Sequence, residues 1–435
     1  MNDILLISPS ITFIKELGIA YNWLNGEYVT LQDKSHPFYI LLVKKEQNFK
    51  LSAFDNHTED LNWLIENRFI IHSFNEIQEI YKENIKELNS GSKLHMVLLP
   101  AGTKCNFACR YCYQRHDGKA MDNFEKNSIV NFLKNSHLAE MQIDFFGGEP
   151  LLNYEWICDF SKDIRKHTEK NGIKYKASIT TNGYLLKKGI FETLITECGI
   201  TTFQITLDGL ADTHDSMRVL TNNNATFDKI FENICATAES RYNFSLIVRI
   251  NFNENFNIDN FIEYIKLSRI YGDDRFFFLF RPIASGWNCS TNDVHCKTGH
   301  EELKKIFYQK ATRNGLQSAE LILYGEFGNM SCPSGRENYL IVSPDLTIKK
   351  CTVALDNNIN TIGRINNGQF EKNQNWELWI DKNMYPKYEC VSCEVYSLCT
   401  GNSCPLFKIQ NNEIKCISEK YKAQEVVAQI VEFLT

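Results

Sequence analysis

Six strand-type segments, separated by helix-type segments, lie between residues 96 and 280 of this 435-residue chain, and this alternation limits its fold more than any other feature. Strand, helical crossover and next strand form a right-handed βαβ unit, and its repetition curls a parallel sheet toward a barrel. The predicted strands are Met96–Leu99, Ile143–Phe146, Ala177–Thr180, Thr202–Leu207, Ser245–Asn251 and Phe276–Phe280. The predicted helices are Asn123–Lys134, Tyr154–Lys170, Lys187–Glu197, Phe227–Ser240 and Ile258–Tyr271. The pattern predicts an α/β fold with a partial (β/α)6 barrel of the TIM type over residues 89–305.

Residues 1–88, which precede this barrel, predict a small α+β module. Two extended runs, 21–24 and 27–31, flank Asn25-Gly26, a dipeptide that favours a hairpin turn. Phe38–Val43 predicts another strand, and a helix-type pattern begins at Thr58.

Charge and hydropathy exclude two classes of partner. The net charge is −6, from 47 basic and 53 acidic residues, whereas a general nucleic-acid binder needs a basic surface. No apolar run reaches the roughly 20 residues that span a bilayer, and the start Met1-Asn2-Asp3 lacks the basic residues of a signal peptide. We therefore expect a cytoplasmic protein without a membrane or nucleic-acid partner.

The fifteen cysteines are too many for an ordinary cytoplasmic chain, whose compartment disfavours disulfides. Metal or iron–sulfur binding explains such a number best. Ten of them fall into two groups, at residues 105–112 and 332–416. The other five are expected to pack mainly as small apolar side chains: Cys158, Cys198, Cys235, Cys289 and Cys296.

The first group, Cys105, Cys109 and Cys112, has C-x3-C-x2-C spacing and directly follows a predicted strand. Three thiolates can hold one [4Fe–4S] cluster and leave its fourth iron without a protein ligand. An open metal position is typical of catalytic rather than structural sites. A structural zinc ion or a fully ligated cluster is the alternative.

This spacing, with the aromatic Tyr111 before the third cysteine, resembles that of the radical S-adenosylmethionine (SAM) enzymes. The resemblance implies that Cys105, Cys109 and Cys112 hold a catalytic cluster whose open iron binds the amino and carboxylate groups of SAM. Reduction then cleaves SAM to a 5′-deoxyadenosyl radical, which abstracts hydrogen from the substrate.

A second motif, Gly147-Gly148-Glu149-Pro150, follows the next predicted strand. It resembles the loop with which the family contacts the amino group of SAM. Glycines allow close approach of the backbone to a ligand, and the carboxylate of Glu149 suits an ammonium group. An ordinary turn is the alternative.

Polar residues at the ends of later strands resemble those that hold the ribose and carboxylate of SAM in this family. Hydroxyl and amide groups suit ribose, and a guanidinium pairs with a carboxylate in a bidentate manner. Turn and cap chemistry is the alternative. The residues concerned are Thr181, Asn182, Thr206, Asp208 and, in His214-Asp215-Ser216-Met217-Arg218, the arginine; Arg249 and Arg281 are weaker candidates for cofactor or substrate contacts.

Residues 306–435 contain the second cysteine group, which resembles the SPASM extension and its two auxiliary [4Fe–4S] clusters. The resemblance assigns Cys390, Cys393, Cys399 and Cys416 to an outer cluster, and Cys332, Cys351 and Cys404 to an inner one. Two departures from the usual pattern are an x4 spacing between Cys399 and Cys404 and Leu346 at a position that is usually glycine. The inner cluster lacks one ligand, for which Glu326, Cys289, Cys296 or the substrate are candidates. Two zinc knuckles are the alternative.

The substrate class is argued from the same resemblance. A peptide maturase would install a thioether or carbon–carbon cross-link on a ribosomally made precursor, with ferredoxin or flavodoxin as electron donor. Residues 1–88 resemble the winged-helix-like domain that binds the precursor's leader as an added edge strand, although a structural cap on the barrel is the alternative.

Three other functions remain open at this point. An anaerobic sulfatase maturase is disfavoured, because that group has an aspartate base where Thr352 stands here. The resemblance also includes maturases of small molecules or of protein cofactors. The non-enzymatic alternative is an iron–sulfur electron carrier or a zinc scaffold.

Overall fold

The chain folds into two units, which the computed structural model describes over residues 4–253, 255–283, 298–320, 324, 327–380, 390, 392–401 and 403–434. The first unit combines residues 1–90, 320–336 and 380–435, and the second combines residues 91–319 and 337–379. In these described ranges, no helix has both the length and the apolar character needed to cross a membrane.

The first unit contains two small antiparallel sheets, ordered β5-β1-β6 and β2-β3-β4. The strands are β1 (Ile4–Ile7), β2 (Ile11–Ile14), β3 (Ile19–Asn22), β4 (Tyr28–Thr30), β5 (Asn48–Lys50) and β6 (Ile70–Ile71). The helices are α1 (Pro37–Lys44), α2 (Thr58–Glu66) and α3 (Phe74–Leu88), with Tyr396–Cys399, Pro405–Asn411 and Ala423–Leu434 from the C-terminal segment. The hairpin predicted around Asn25-Gly26 is present as β3 and β4.

Trp23 joins the N-terminal and C-terminal segments of this unit. Its fully buried indole donates a hydrogen bond from Nε1 to Thr12 Oγ1 at 2.7 Å. Its carbonyl accepts a hydrogen bond from Ser397 Oγ at 2.7 Å. The described part of residues 1–90 thus shares a core with the C-terminal segment.

One predicted strand, Phe38–Val43, is wrong, because this apolar run forms α1. Pro37 occupies the first helical position, where its fixed φ favours a helix. Nδ1 of His36 accepts a hydrogen bond from the Phe38 amide at 3.2 Å and caps the start. Lys45, with φ +56°, ends the helix in the left-handed conformation.

The second unit contains an eleven-stranded sheet and the helices that cover it. Its strands are β7 (Lys93–Leu98), β8 (Glu140–Phe145), β9 (Lys174–Thr181), β10 (Ile200–Leu207), β11 (Ser245–Phe252), β12 (Phe276–Pro282), β13 (Gln317–Ser318), β14 (Tyr339–Val342), β15 (Thr347–Lys349), β16 (Thr361–Asn366) and β17 (Gln369–Lys372). Its helices are α4 (Asn123–Lys134), α5 (Tyr154–Asn171), α6 (Lys188–Thr196), α7 (Ala211–Met217), α8 (Phe227–Ala238), α9 (Ile258–Lys266), α10 (Thr298–Arg313) and α11 (Trp376–Trp379).

The sheet order is β13-β12-β11-β10-β9-β8-β7-β14-β15-β16-β17. Pairing is parallel from β13 to β14 and antiparallel from β14 to β17. The six predicted strands and five predicted helices are all present, so the α/β fold class with a partial barrel is confirmed. The domain breaks after residues 88 and 305 remain sequence predictions, and α10 spans the second of them.

The strands of the barrel carry polar side chains on one face, although parallel strands are usually apolar on both. Asp144 lies at the centre of such a group: its carboxylate is 2.5 Å from Nε2 of His95 and accepts hydrogen bonds from Gln142 at 3.1 Å and Ser178 at 2.8 Å. Desolvation raises the pKa of Asp144, but His95 and these donors outweigh it and hold the pKa below its usual range. Intervening residues such as Ile143 are fully buried on the opposite face.

The loop after β8 holds the loop after β7 in place. The Gly148 amide donates to the Gly102 carbonyl at 3.1 Å, and the Glu149 amide donates to the Lys104 carbonyl at 2.8 Å. A Cβ on Gly148 would lie 2.2 Å from the Lys104 oxygen, and one on Gly147 would lie 2.3 Å from the Gly102 oxygen. The two glycines are therefore required by close contact between chain segments as well as by any ligand.

Substitution Gly148→Ala should lower the free energy of unfolding by about 1–3 kcal/mol, because the new methyl group meets backbone atoms that cannot move away without shifting the loop. Gly189→Ala is the matched control: its Cβ meets nothing within 4 Å, and alanine favours its helix by up to about 1 kcal/mol. Thermal unfolding followed by circular dichroism measures both. Equal midpoints for the two variants would contradict the packing argument.

Candidate functional site

A cavity of about 330 Å³ lies at the carboxyl ends of strands β8 to β12. This volume falls within the range of small-molecule sites. Eleven of the residues predicted from sequence line it: Cys105, Cys109, Tyr111, Cys112, Gly147, Gly148, Thr181, Asn182, Thr206, Arg218 and the weaker candidate Arg249. Glu149, Pro150 and Asp208 were also predicted, but they are not among its lining residues.

The three thiols differ in their exposure. Burial raises the pKa of the Cys105 thiol to about 12, and its sulfur accepts a hydrogen bond from the Phe107 amide at 3.4 Å. The side-chain nitrogen Nδ2 of Asn182 also donates to this sulfur, at 3.9 Å. Cys112 is exposed, and its sulfur lies 3.3 Å from Nε2 of His116.

These donors fit the iron–sulfur cluster that the sequence motif implies. Thiolates are the usual ligands of such clusters. Among the described lining residues, no carboxylate and no fourth cysteine accompanies the three thiols. The donor set therefore suits a cluster with one iron left open to a second ligand.

The carboxylate of Glu149 has a structural role within the loop that follows β8. It is fully buried and accepts hydrogen bonds from the Leu151 amide at 2.9 Å, Thr181 Oγ1 at 2.8 Å and the Asn182 amide at 2.7 Å. Burial raises its pKa, although these donors oppose the shift. Its side chain thus ties the Gly-Gly-Glu-Pro loop to the end of β9, and its contact with an ammonium group stays a sequence prediction.

The hydroxyl of Tyr111 is the centre of a polar network. It donates to Asp208 Oδ2 at 2.6 Å and accepts from Arg218 Nη1 at 2.8 Å and from Asn251 Nδ2 at 3.0 Å. Burial raises the pKa of Asp208 to about 6. Asp208 Oδ1 and Arg218 Nε are buried without a partner in the described part of the chain.

The residues of the His-Asp-x-x-Arg motif have two different roles. His214 and Asp215 hold neighbouring backbone groups in place, whereas Arg218 lines the cavity. Nδ1 of His214 accepts from the Asp208 amide at 3.2 Å, and Nε2 lies 3.1 Å from Thr226 Oγ1, which donates to the Arg218 carbonyl. Burial lowers the pKa of His214 to about 2, so the ring stays neutral. Asp215 accepts from the Thr226 amide at 2.7 Å at the start of α8. Of this motif, Arg218 alone is among the described lining residues.

Sequence reasoning missed Asn251 and Asn360. Asn251 lines the cavity two residues after Arg249, at the end of a strand whose alternating pattern could have identified it. Asn360 is fully buried and binds the loop that brings Thr352 and Val353 to the cavity. Its side chain accepts from the amides of Lys350 at 3.0 Å and Cys351 at 2.7 Å and donates to two carbonyls of the same loop.

Four C-terminal cysteines lie near one another in the first unit. Burial, reinforced by the neighbouring Cys393, Cys390 and Cys416, raises the pKa of the Cys399 thiol to about 12. Burial also raises the pKa of Cys332; Ser334 opposes this shift and nearby Cys404 adds to it. Cys351 belongs to the second unit.

The remaining cysteines have varied surroundings. Cys198 is buried, and its sulfur lies 3.7 Å from that of the partly buried Cys158; Cys235 is also partly buried. Glu326, Cys289 and Cys296, which were candidates for the missing ligand, lie outside the described residues.

Comparison with solved structures shows the same fold. The structure of anSMEcpe with bound AdoMet and the Cp18Cys peptide matches 78% of this chain and 96% of its own, with a TM-score of 0.56 and 19% identity. That of Streptococcus suis SuiB bound to precursor peptide SuiA matches 94% of this chain and 97% of its own, with a TM-score of 0.51 and 17% identity.

Sequence comparison finds related proteins. The radical SAM cyclopropyl synthase TigE of Paramaledivibacter caminithermalis is 24% identical over an alignment of 331 residues, and the match covers 62% of this chain and 69% of that protein. A cysteine-type anaerobic sulfatase-maturating enzyme of Clostridium novyi is 27% identical over an alignment of 189 residues, and the match covers 40% of this chain and about half (48%) of that protein. The model of the radical SAM superfamily matches residues 99–267, the region of the cysteine motif and the cavity. The chain therefore contains a radical SAM domain, which spans residues 99–267.

Proposed function

We propose that this radical SAM enzyme modifies a ribosomally made precursor peptide by joining two side chains through a thioether or carbon–carbon bond. The observation that carries the proposal is the cavity in which Cys105, Cys109 and Cys112 meet the polar ends of strands β9, β10 and β11. The likeness to SuiB, solved with a precursor peptide, extends over 94% of this chain and so includes the N-terminal region.

The family implies one [4Fe–4S] cluster and SAM, and Cys105, Cys109 and Cys112 would hold that cluster. When bound and reduced, the cluster supplies the electron that cleaves SAM to a 5′-deoxyadenosyl radical. Arg218, anchored by Tyr111, would pair with the carboxylate of SAM. The Thr206 hydroxyl at the cavity wall would hydrogen-bond its polar groups.

The sulfatase-maturase alternative fits the cavity less well. Thr352 lines the cavity at the position where that group has an aspartate. None of the described lining residues is acidic, so no carboxylate base stands at the place where substrate would react. This favours peptide cross-linking over formylglycine formation.

The edge of β4 supports leader binding by the N-terminal region. Hydrogen bonds join Asn22 to Glu27 and Leu31 to Gly18, and antiparallel pairs alternate between bonded and non-bonded. By this alternation, the amides and carbonyls of Tyr28 and Thr30 point away from β3. Within the described residues, β4 is the last strand of its sheet, so a leader could pair with it as a fourth strand.

The C-terminal cysteines would hold the two auxiliary clusters. Proximity of Cys390, Cys393, Cys399 and Cys416 supports an outer cluster held by these four. The assignment of Cys332, Cys351 and Cys404 to an inner cluster remains a sequence prediction. With all three clusters, the chain would hold about twelve irons.

Replacing Cys105, Cys109 and Cys112 with alanine should abolish formation of 5′-deoxyadenosine and lower the iron content from about twelve to about eight per chain. Anaerobic reconstitution, iron and sulfide quantitation and chromatography of the nucleoside measure this. The matched control is Cys235→Ala, a single cysteine outside both groups, which should retain iron and cleavage. Loss of the remaining eight irons from the triple variant, or zinc in their place, would contradict the assignment of separate auxiliary clusters.

Thr30→Pro should weaken binding of the precursor roughly three- to tenfold, because proline removes an outward amide without breaking the β3–β4 bonds. Thr30→Val, which keeps the amide, is the control. The assay is fluorescence anisotropy with labelled candidate precursors encoded beside the gene. Equal affinity of the proline and valine variants would show that the leader does not pair with this edge.

A further inference from the structure

Arg249 stands in the cavity wall without an acidic partner. It lies on β11, and its Nε donates to Asn251 Oδ1 at 2.9 Å. Its two terminal nitrogens have no hydrogen-bond or ion-pair partner among the residues that the structure describes. The side chain is partly buried, and a guanidinium on a cavity wall without an acidic partner offers its remaining N–H donors to an anion that enters the cavity.

The nearest acid does not neutralise Arg249. The Oδ2 oxygen of Asp208 accepts the hydrogen bond from Tyr111 at 2.6 Å, and Tyr111 also binds Arg218. Asp208 is therefore used within the network that holds Arg218. Its charge favours the protonated form of Arg249 but makes no direct contact with it.

Neighbouring charge adds to the positive character of this wall. The strand register places Arg281 of β12 opposite Asn251 of β11, two residues beyond Arg249. Burial lowers the pKa of Arg249, and the charge of Arg281 lowers it further. With Arg218 on the same cavity and no acid among its described lining residues, an anion entering here finds two guanidinium groups.

We propose that Arg249 binds a carboxylate of the substrate peptide, so that the enzyme selects a peptide with an acidic side chain beside the residue it modifies. This inference rests on the proposed function. Arg218, fixed by Tyr111, is the guanidinium assigned to the SAM carboxylate. Arg249 therefore remains to bind a second carboxylate, that of the peptide. A guanidinium held at Nε by Asn251 presents its other edge to such a group in a fixed direction.

Two short probes test this on the reconstituted holoenzyme with saturating SAM. Acetyl-Ala-Glu-Ala-amide and acetyl-Ala-Gln-Ala-amide differ in one carboxylate, and anaerobic saturation-transfer NMR measures their dissociation constants. The wild type should bind the glutamate peptide at least about tenfold more tightly. Arg249→Met should abolish this preference, and Arg249→Lys should keep part of it.

A second arm separates the two sources of a carboxylate, the peptide and SAM. Arg218→Met is the matched control, and it should lose affinity for SAM. A comparable loss of SAM affinity in Arg249→Met would assign Arg249 to the cofactor and overturn the inference. Equal binding of the two peptides by the wild type would also overturn it, and this comparison needs no variant to fold. Failure of the proposed function would be seen separately, as absence of SAM cleavage by the wild type.

Discussion

The buried carboxylate of Glu149 joins the ends of two neighbouring strands, and the geometry of the site depends on it. A carboxylate without water needs donors from the protein, and three groups of this chain supply them. Two of the three donors belong to the end of β9, and the same loop binds the segment that leads to Cys105. The loop that carries the Glu149 side chain thus fixes three segments relative to one another: the loop of Cys105, the loop of Gly147 and Gly148, and the end of β9 at Asn182.

The hydroxyl of Tyr111 extends this arrangement to the other side of the cavity. Through it, the cysteine loop is bonded to Asp208 after β10, to Arg218 after α7 and to Asn251 on β11. Neutral His214 holds the backbone of two of these residues: it accepts from the Asp208 amide and contacts Thr226, whose hydroxyl donates to the Arg218 carbonyl. Arg218 and Arg249, on the two sides of this network, are therefore joined through the hydrogen bonds of Tyr111 and Asn251.

Much of the fold could be predicted from the sequence, because strand and helix differ in hydrophobic period over segments as long as Asn123–Lys134. The run Phe38–Val43 is too short and too uniformly apolar to show a hydrophobic period, and its helical form depends on Pro37 at the first helical position. The motifs located the cavity residues but not the direction of each side chain. Glu149 was placed in the correct loop, but its three donors within the chain could not be foreseen, since sequence spacing does not show which buried groups surround a carboxylate. Asn360 was missed because its four bonds depend on a loop closed in three dimensions.

The polar face around Asp144 separates two requirements that most proteins combine. In an ordinary core, the residues that give a barrel its stability also fill its interior, so a change of specificity disturbs folding. Here the apolar contacts of residues such as Ile143 lie on the opposite face of the strands, away from His95, Gln142 and Ser178. Thr180, Gln204 and Arg249 continue this polar face where it lines the cavity, so substitutions there can alter what the cavity accepts while the apolar packing of the sheet is retained.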